Sequence, residues 1–223
     1  MKTRIGQFFG GHPLLWFAFA YSLACLLMLN PTIHGNDGHG NYAYLRSLLF
    51  DHDLNFENDY ALFDGVTGDQ FRFRQIPIEA NTGLPGNRYG IGSAILWLPL
   101  VAPVRAWGLI RHLDETGLER RYVWSVGIAS ALWAGLALAM LLMLCREVWN
   151  PAAGWIAVAA ALMLSPLPFY IFFHTSMSHA TAFFAVTGFL VSFIKGMRSL
   201  RLGWFLAMGV FAGLAVMVRY QDA

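Results

Sequence analysis

Charge is scarce in this chain: Asp, Glu, Lys and Arg supply 13% of 223 residues, about half the share of a soluble domain. With a formal net charge of +2 and no dense run of Lys and Arg, nothing follows a nucleic-acid backbone, so no nucleic-acid partner is expected. Cysteine is almost absent. Cys25 and Cys145 both fall inside apolar runs, where a thiol acts as a small core residue and no pairing can be inferred. No Gly-Lys-Ser/Thr follows the glycines of GIG at 90–92, which removes support for a phosphate loop and nucleotide hydrolysis. Repeats and low-complexity tracts are missing as well.

What the chain has in quantity is apolar length. Hydrophobic residues make up 57% and the mean hydropathy is +0.50, which marks an integral membrane protein. Runs long enough for a hydrocarbon core of about 30 Å occur at 13–30, 122–145, 154–173, 178–195 and 203–220. The expected fold class is therefore an all-α polytopic membrane protein with about five transmembrane helices. Lys2 and Arg4 precede the first run, which reads as a retained signal anchor because other spans follow it. The chain stops directly after RYQD, so it is expected to be the N-terminal part of a longer protein.

A sixth run, 91–110, is ambiguous. It offers 16 uncharged residues between Arg88 and Arg105, about 24 Å of helix, and contains Pro99 and Pro103. If it lies in the interface, then Lys2, Arg4, Arg146 and the basic loop KGMRSLR at 195–201 all face the cytoplasm, as the positive-inside bias requires. If it crosses, KGMRSLR is left outside. The first arrangement puts the N-terminus in the cytoplasm of an inner-membrane protein. It gathers three polar segments on the extracytoplasmic face: the loop 31–121, the connection HTSMSHA at 174–180, and the end VRYQDA. Ionisable residues converging at helix ends on one aqueous face are what a membrane-surface active site needs.

The long loop opens with HGNDGHGNYAYLRSLLFDHD at 34–53. Its glycines predict tight turns around Asp37, an accessible carboxylate that can act as general base or occupy an Asx-turn. In YAYLRSLLF, residues Tyr42, Tyr44, Leu45, Leu48 and Leu49 share one helical arc opposite Arg46 and Ser47, which predicts an interfacial helix at about 41–50. His34, Asp37 and His39 are close enough in sequence to be weak candidates for holding a divalent metal, although their spacing fits no established ligand pattern. Asp51, His52 and Asp53 have a D-x-D form, more commonly a solvated turn than a metal clamp. QFRFRQIPI at 70–78 alternates as a short strand does.

Two further places carry candidate chemistry. Arg88 and Tyr89, in GNRYGIG, stand where the loop meets the membrane, where an arginine either anchors the interface or holds a phosphate bidentately. His179 opens the helix after HTSMS, with Ser178 as a natural cap. Arg219 and Asp222 sit three apart, the spacing of a local ion pair, at the outer end of the last helix.

Taken together, the signal-anchor helix, the loop opening with NDGHGNYAYLRSLLF, the helix after RYGIGSAILWLP, the polar turn MSHATAFF and the end VRYQDA resemble the start of a GT-C fold glycosyltransferase. This is the multi-spanning superfamily of lipid-linked mannosyl and aminoarabinose transferases. The resemblance covers nearly the whole chain with loose motifs. It implies two helices parallel to the membrane at 41–50 and 91–108. It also implies transfer of a sugar from a polyprenyl-phosphate donor in the membrane lipid to a hydroxyl acceptor at the extracytoplasmic face. By position the activating acid maps onto Asp37, while Arg88, Tyr89, His179 and Arg219 become the residues expected to bind substrate and lipid phosphate. The chain departs from the pattern at 174–180, which has histidines but no acid, so a divalent metal is not a firm expectation. The rival readings are a transporter or flippase of a lipid-linked or anionic solute, and a non-catalytic envelope assembly subunit. Transporters place polar groups near the middle of their spans, and 122–145 and 203–218 carry almost none.

Overall fold

A computed structural model describes residues 12–66 and 76–220. Nine α-helices account for most of them: α1 Pro13–Met28, α2 Gly35–Arg46, α3 Glu57–Val66, α4 Gly92–Ile110, α5 Arg120–Val148, α6 Pro151–Met163, α7 Leu167–Phe172, α8 His179–Ser199 and α9 Leu202–Val218. A π-helical turn, Ser47–Asp51, continues α2. Beyond the helices there is one isolated antiparallel bridge, Ile78 with Pro85. Most of the expected strand at 70–78, with Arg72 and Arg74, lies outside the described residues.

Among the described residues three helices, α4, α5 and α8, are long and apolar enough to cross a membrane; α1, α6 and α9 are apolar but shorter. Local sequence explains several ends. Pro13 and Pro151 stand at the start of α1 and α6, where the missing N–H costs nothing, and Asn150 caps α6 by accepting from Ala153 N at 3.0 Å. The run expected as one helix at 154–173 is instead broken: α6 stops at Met163, Ser165 and Pro166 intervene, and α7 is a separate short helix. Pro166 cannot donate into the preceding helix, and Ser165 Oγ turns back to Ala161 O at 2.6 Å.

The spine of the structure is α5, whose 29 residues span about 44 Å. Two hydrophobic cores are stacked along it. Around its first half, Tyr122, Val126 and Ala129 pack with Tyr42, Leu45, Tyr60, Phe63, Trp97 and Val101 from α2, α3 and α4. Around its second half, Ala131, Ala134, Leu138 and Leu142 pack with Phe17 of α1, Val158 of α6, Ile171 of α7 and Ala180 of α8. A small cluster of Leu96, Ala182 and Val218 joins the layers. Helix α4 runs antiparallel to the first half of α5, with Trp97 Nε1 donating to Ser130 Oγ at 2.8 Å near one end and Arg105 pairing with Glu115, which also holds Arg121, near the other. The far end of the second layer carries Arg146, Glu147, Lys195 and Arg198, with Lys195 paired to Glu147.

The beginning of the long loop differs from its sequence expectation. NDGHGN is not a turn but the first half of α2, and the apolar arc of YAYLRSLLF does not form one outward face: Leu48 is exposed, while Arg46 and Ser47 on the polar side are buried. Tyr42 and Leu45 are 0% and 1% exposed, built into the first core. A helix so rich in glycine has poor intrinsic propensity. It forms because its glycines admit close neighbours: a Cβ on Gly38 would strike Ser176, and one on Gly40 would fall on the ring of Tyr89. At its far end Arg46 is locked by Asp51 at 2.6 Å, Asp59 at 2.7 Å and Thr116 O at 2.7 Å.

Candidate functional site

The seam between the two layers is where α2, α4 and α8 begin and α9 ends. Glycine makes this junction possible as well, since side chains at Gly90 and Gly92 would collide with the backbone of Met217 and Val218. A cavity of about 250 Å³ opens there, lined by Asp37 and Asn41 of α2, Arg88 and Tyr89 of the loop before α4, Ser178 before α8, and Arg219 and Tyr220 after α9. Asp37, Arg88, Tyr89 and Arg219, singled out from the sequence as separate candidates, are thus walls of one cavity. His179 stands behind Arg219.

Asp37 lies in the first turn of α2, where the helix dipole favours a carboxylate, and its side chain is exposed. Tyr89 OH donates to Asp37 Oδ1 at 2.9 Å. The same hydroxyl accepts from Arg88 Nε at 3.3 Å and Nη2 at 3.1 Å, and the Arg88 guanidinium sits 5.3 Å over the Tyr89 ring. Asn87 holds this turn in place: its Oδ1 accepts from Tyr89 N and its Nδ2 donates to Gly40 O at 2.8 Å. Burial raises the Tyr89 phenol; the Arg88 hydrogen bonds lower it and the Asp37 carboxylate raises it. Tyr89 therefore stays a neutral donor toward Asp37.

Elsewhere in the lining, Arg219 Nη1 lies 3.0 Å from His179 Nδ1, and the His179 ring stacks on Tyr170 at 3.8 Å. Arginine only donates, so this contact needs a lone pair on the imidazole. The expected local partner of Arg219, Asp222, is outside the described residues. Ser178 begins α8 without a side-chain capping bond and faces the cavity instead. With Asp37 the one acid among the lining residues and Arg88 and Arg219 the two bases, the cavity sets two cationic side chains beside one carboxylate.

The metal candidates are not brought together. His39 is fully buried, its Nδ1 on Gly35 O at 2.8 Å and its ring 4.9 Å from Phe63, while His34 is edge-on to His174 at 5.1 Å. On a helix, positions 37 and 39 point to different sides, so Asp37 and His39 cannot share an ion. Among the described residues no group of three His, Cys, Asp or Glu side chains is placed to hold a metal. The D-x-D element is structural: Asp51 pairs with Arg46, and Asp53 Oδ1 accepts from Ser47 Oγ at 2.8 Å and Asn55 N at 3.0 Å.

Sequence reasoning missed Asn41. Its signal was available, since it lies four residues after Asp37 and so on the same helical face, but only if the glycine-rich stretch is read as helix. It also missed Glu115, whose side chain is enclosed by Arg105, Arg121 and Tyr122. Burial opposes its ionisation, yet the hydrogen bonds from Tyr122 and Arg105 and the charge of Arg121 prevail and hold its carboxyl below the usual range. Compared with protein-family models, with curated proteins and with solved structures, the chain matches none.

Proposed function

We propose that the chain is a membrane glycosyltransferase of the GT-C kind, moving a sugar from a polyprenyl-phosphate donor to a hydroxyl acceptor at the extracytoplasmic face. One observation carries this reading: Asp37, Arg88 and Arg219, up to 182 residues apart in sequence, line a single cavity at the ends of apolar helices. In the proposed reaction the acceptor oxygen attacks the anomeric carbon and the bond from that carbon to the phosphate oxygen breaks. Asp37 takes the acceptor's proton, and the polyprenyl phosphate leaves with the bonding electrons. Arg88 and Arg219 meet the charge that develops on the phosphate. A lipid-linked donor accounts for the position of the site, because its scissile bond lies at headgroup depth.

The layering supports five spans, α1, α5, α6 with α7, α8 and α9, with α4 outside the bilayer core. Past Leu96 the partners of α4 lie on the first half of α5, while its first turns abut the start of α8 and the end of α9. It therefore continues beyond α8 and α9 instead of running beside them. The 29 residues of α5 exceed a core of about 30 Å by roughly 14 Å, enough to reach into this outer layer. Positive charge at the opposite end, on Arg146, Lys195 and Arg198, agrees with a cytoplasmic side there.

The test is transfer by the full-length protein in liposomes from a radiolabelled polyprenyl-phosphate sugar, comparing wild type with Asp37→Asn. Transfer by the wild type and its loss in the variant support the reading. Full activity in Asp37→Asn overturns the assignment of Asp37, and no transfer with any polyprenyl-phosphate sugar overturns the activity itself.

A further inference from the structure

Asn41 holds a polar atom that the fold does not use. The residue is 1% exposed, its Nδ2 donates to Asp37 O at 2.8 Å, and its Oδ1 has no hydrogen-bond partner among the described residues. The amide cannot turn over to exchange the two atoms without giving up the bond to Asp37 O and setting two carbonyl oxygens against each other. Oδ1 is thus fixed as a buried acceptor on a residue of the cavity lining, one helical turn, about 5.4 Å, along α2 from Asp37. Natural proteins seldom leave a buried acceptor unmet, and the few polar groups that line a pocket are what orients a bound ligand.

We infer that Asn41 is a specificity residue that reads a hydroxyl of the donor sugar, its Oδ1 accepting a hydrogen bond from that hydroxyl while Asp37, one turn away on the same helical face, is left to the acceptor's hydroxyl. This rests on the proposed transferase reading and adds a requirement on the substrate: a donor sugar with a free hydroxyl turned toward α2. Oδ1 only accepts, so the sugar must be the donor in this hydrogen bond. A cavity of about 250 Å³ has room for a single sugar ring. Arg88 and Arg219, in the same lining, supply the cations for the phosphate of the donor. Removing the hydroxyl that Asn41 reads leaves Oδ1 buried and unmet again, which is why such a site discriminates more sharply against a deoxy sugar than an apolar wall does.

The experiment uses the full-length chain in nanodiscs and short-chain prenyl-phosphate probes: sugar-free neryl phosphate, neryl phosphates of mannose, glucose, galactose and arabinose, and the monodeoxy series of whichever binds most tightly. The readout is the ratio of Kd for each deoxy probe to that of its parent, which corrects itself for any fraction of inactive protein. Wild type is expected to lose about tenfold to a hundredfold on removal of one particular hydroxyl, and Asn41→Leu to bring that one ratio to about one while the other deoxy ratios stay as in wild type. If Asn41→Leu does not fold, Asn41→Ala, which only removes atoms, gives the same reading. Identical ratios in wild type and variant overturn the role of Asn41 and leave the transferase reading standing. If no sugar-bearing probe binds more tightly than neryl phosphate, the transferase reading falls and the inference falls with it.

Discussion

Tyr89 OH donates a 2.9 Å hydrogen bond to Asp37 Oδ1 across 52 residues of sequence, while Arg88 donates to the same phenol from the other side. The proposed base and the proposed phosphate ligand are thus joined through one hydroxyl. Asp37→Asn is expected to lower transfer by about 10²–10⁴, the usual weight of a general base. Tyr89→Phe keeps the ring on Gly40 but frees Asp37 Oδ1, and is expected to lower kcat by about tenfold with a smaller change in KM. Steady-state transfer in liposomes measures both.

Arg88 engages Tyr89 through two guanidinium nitrogens and its π face, a combination an ammonium cannot reproduce. Arg88→Lys is therefore expected to weaken binding of polyprenyl phosphate by about tenfold despite the conserved charge. Arg219→Ala should weaken it comparably. Equilibrium binding of the sugar-free lipid phosphate checks both, and wild-type affinity in either variant excludes that arginine as a ligand.

Gly40→Ala sets two effects of opposite sign against each other. On propensity alone alanine stabilises a helix interior by about 0.5–1 kcal/mol. Here the new methyl meets the Tyr89 ring, and overpacking of this kind costs about 1–3 kcal/mol. A lower Tm is expected in detergent, and Tyr89→Ala in the same chain should restore most of it; a double-mutant cycle reads the coupling.

Burial pushes the Asp59 carboxyl up to about 6, against the opposing hydrogen bond and charge of Arg46. Between its ordinary value near 4 and about 6 the folded state binds more protons than the unfolded one, so this group's contribution to stability falls as pH rises through that window. Relative to Asp59→Asn, wild type is expected to lose roughly 2 kcal/mol between pH 4.5 and pH 7. Glu115 has the opposite sign, its contribution being lost on acidification below the usual Glu value, and it is silent in the upper part of this window. Denaturant midpoints of the two proteins at the two pH values give the difference.

The sidedness of the layers is accessible to cysteine labelling on a chain whose Cys25 and Cys145 have been replaced. Ser176 is fully buried against Gly38, so the outer reporter is the exposed Thr82 and the inner one the exposed Ser199. Impermeant thiol reagent added to intact cells is expected to label Thr82→Cys and to spare Ser199→Cys. Reverse labelling overturns the proposed orientation, and labelling of both places α4 across the membrane.

The apolar runs by themselves determined that this chain is helical and membrane-like, because a stretch of about 20 apolar residues needs no partner sequence to be recognised. Accessible ionisable residues near helix ends, Asp37, Arg88 and Arg219, were also legible as candidates. Their meeting at one cavity was not, since it depends on contacts between backbones far apart in sequence, such as Gly90 against Met217. The glycines of NDGHGN show the physical reason most directly. Locally, glycine favours a turn; in the folded chain the missing Cβ atoms admit Ser176 and Tyr89, and the burial of Tyr42 and Leu45 outweighs the weak helix propensity. Only the tertiary structure made that stretch a helix, turned His39 away from Asp37, and set Asn41 beside it on the cavity wall.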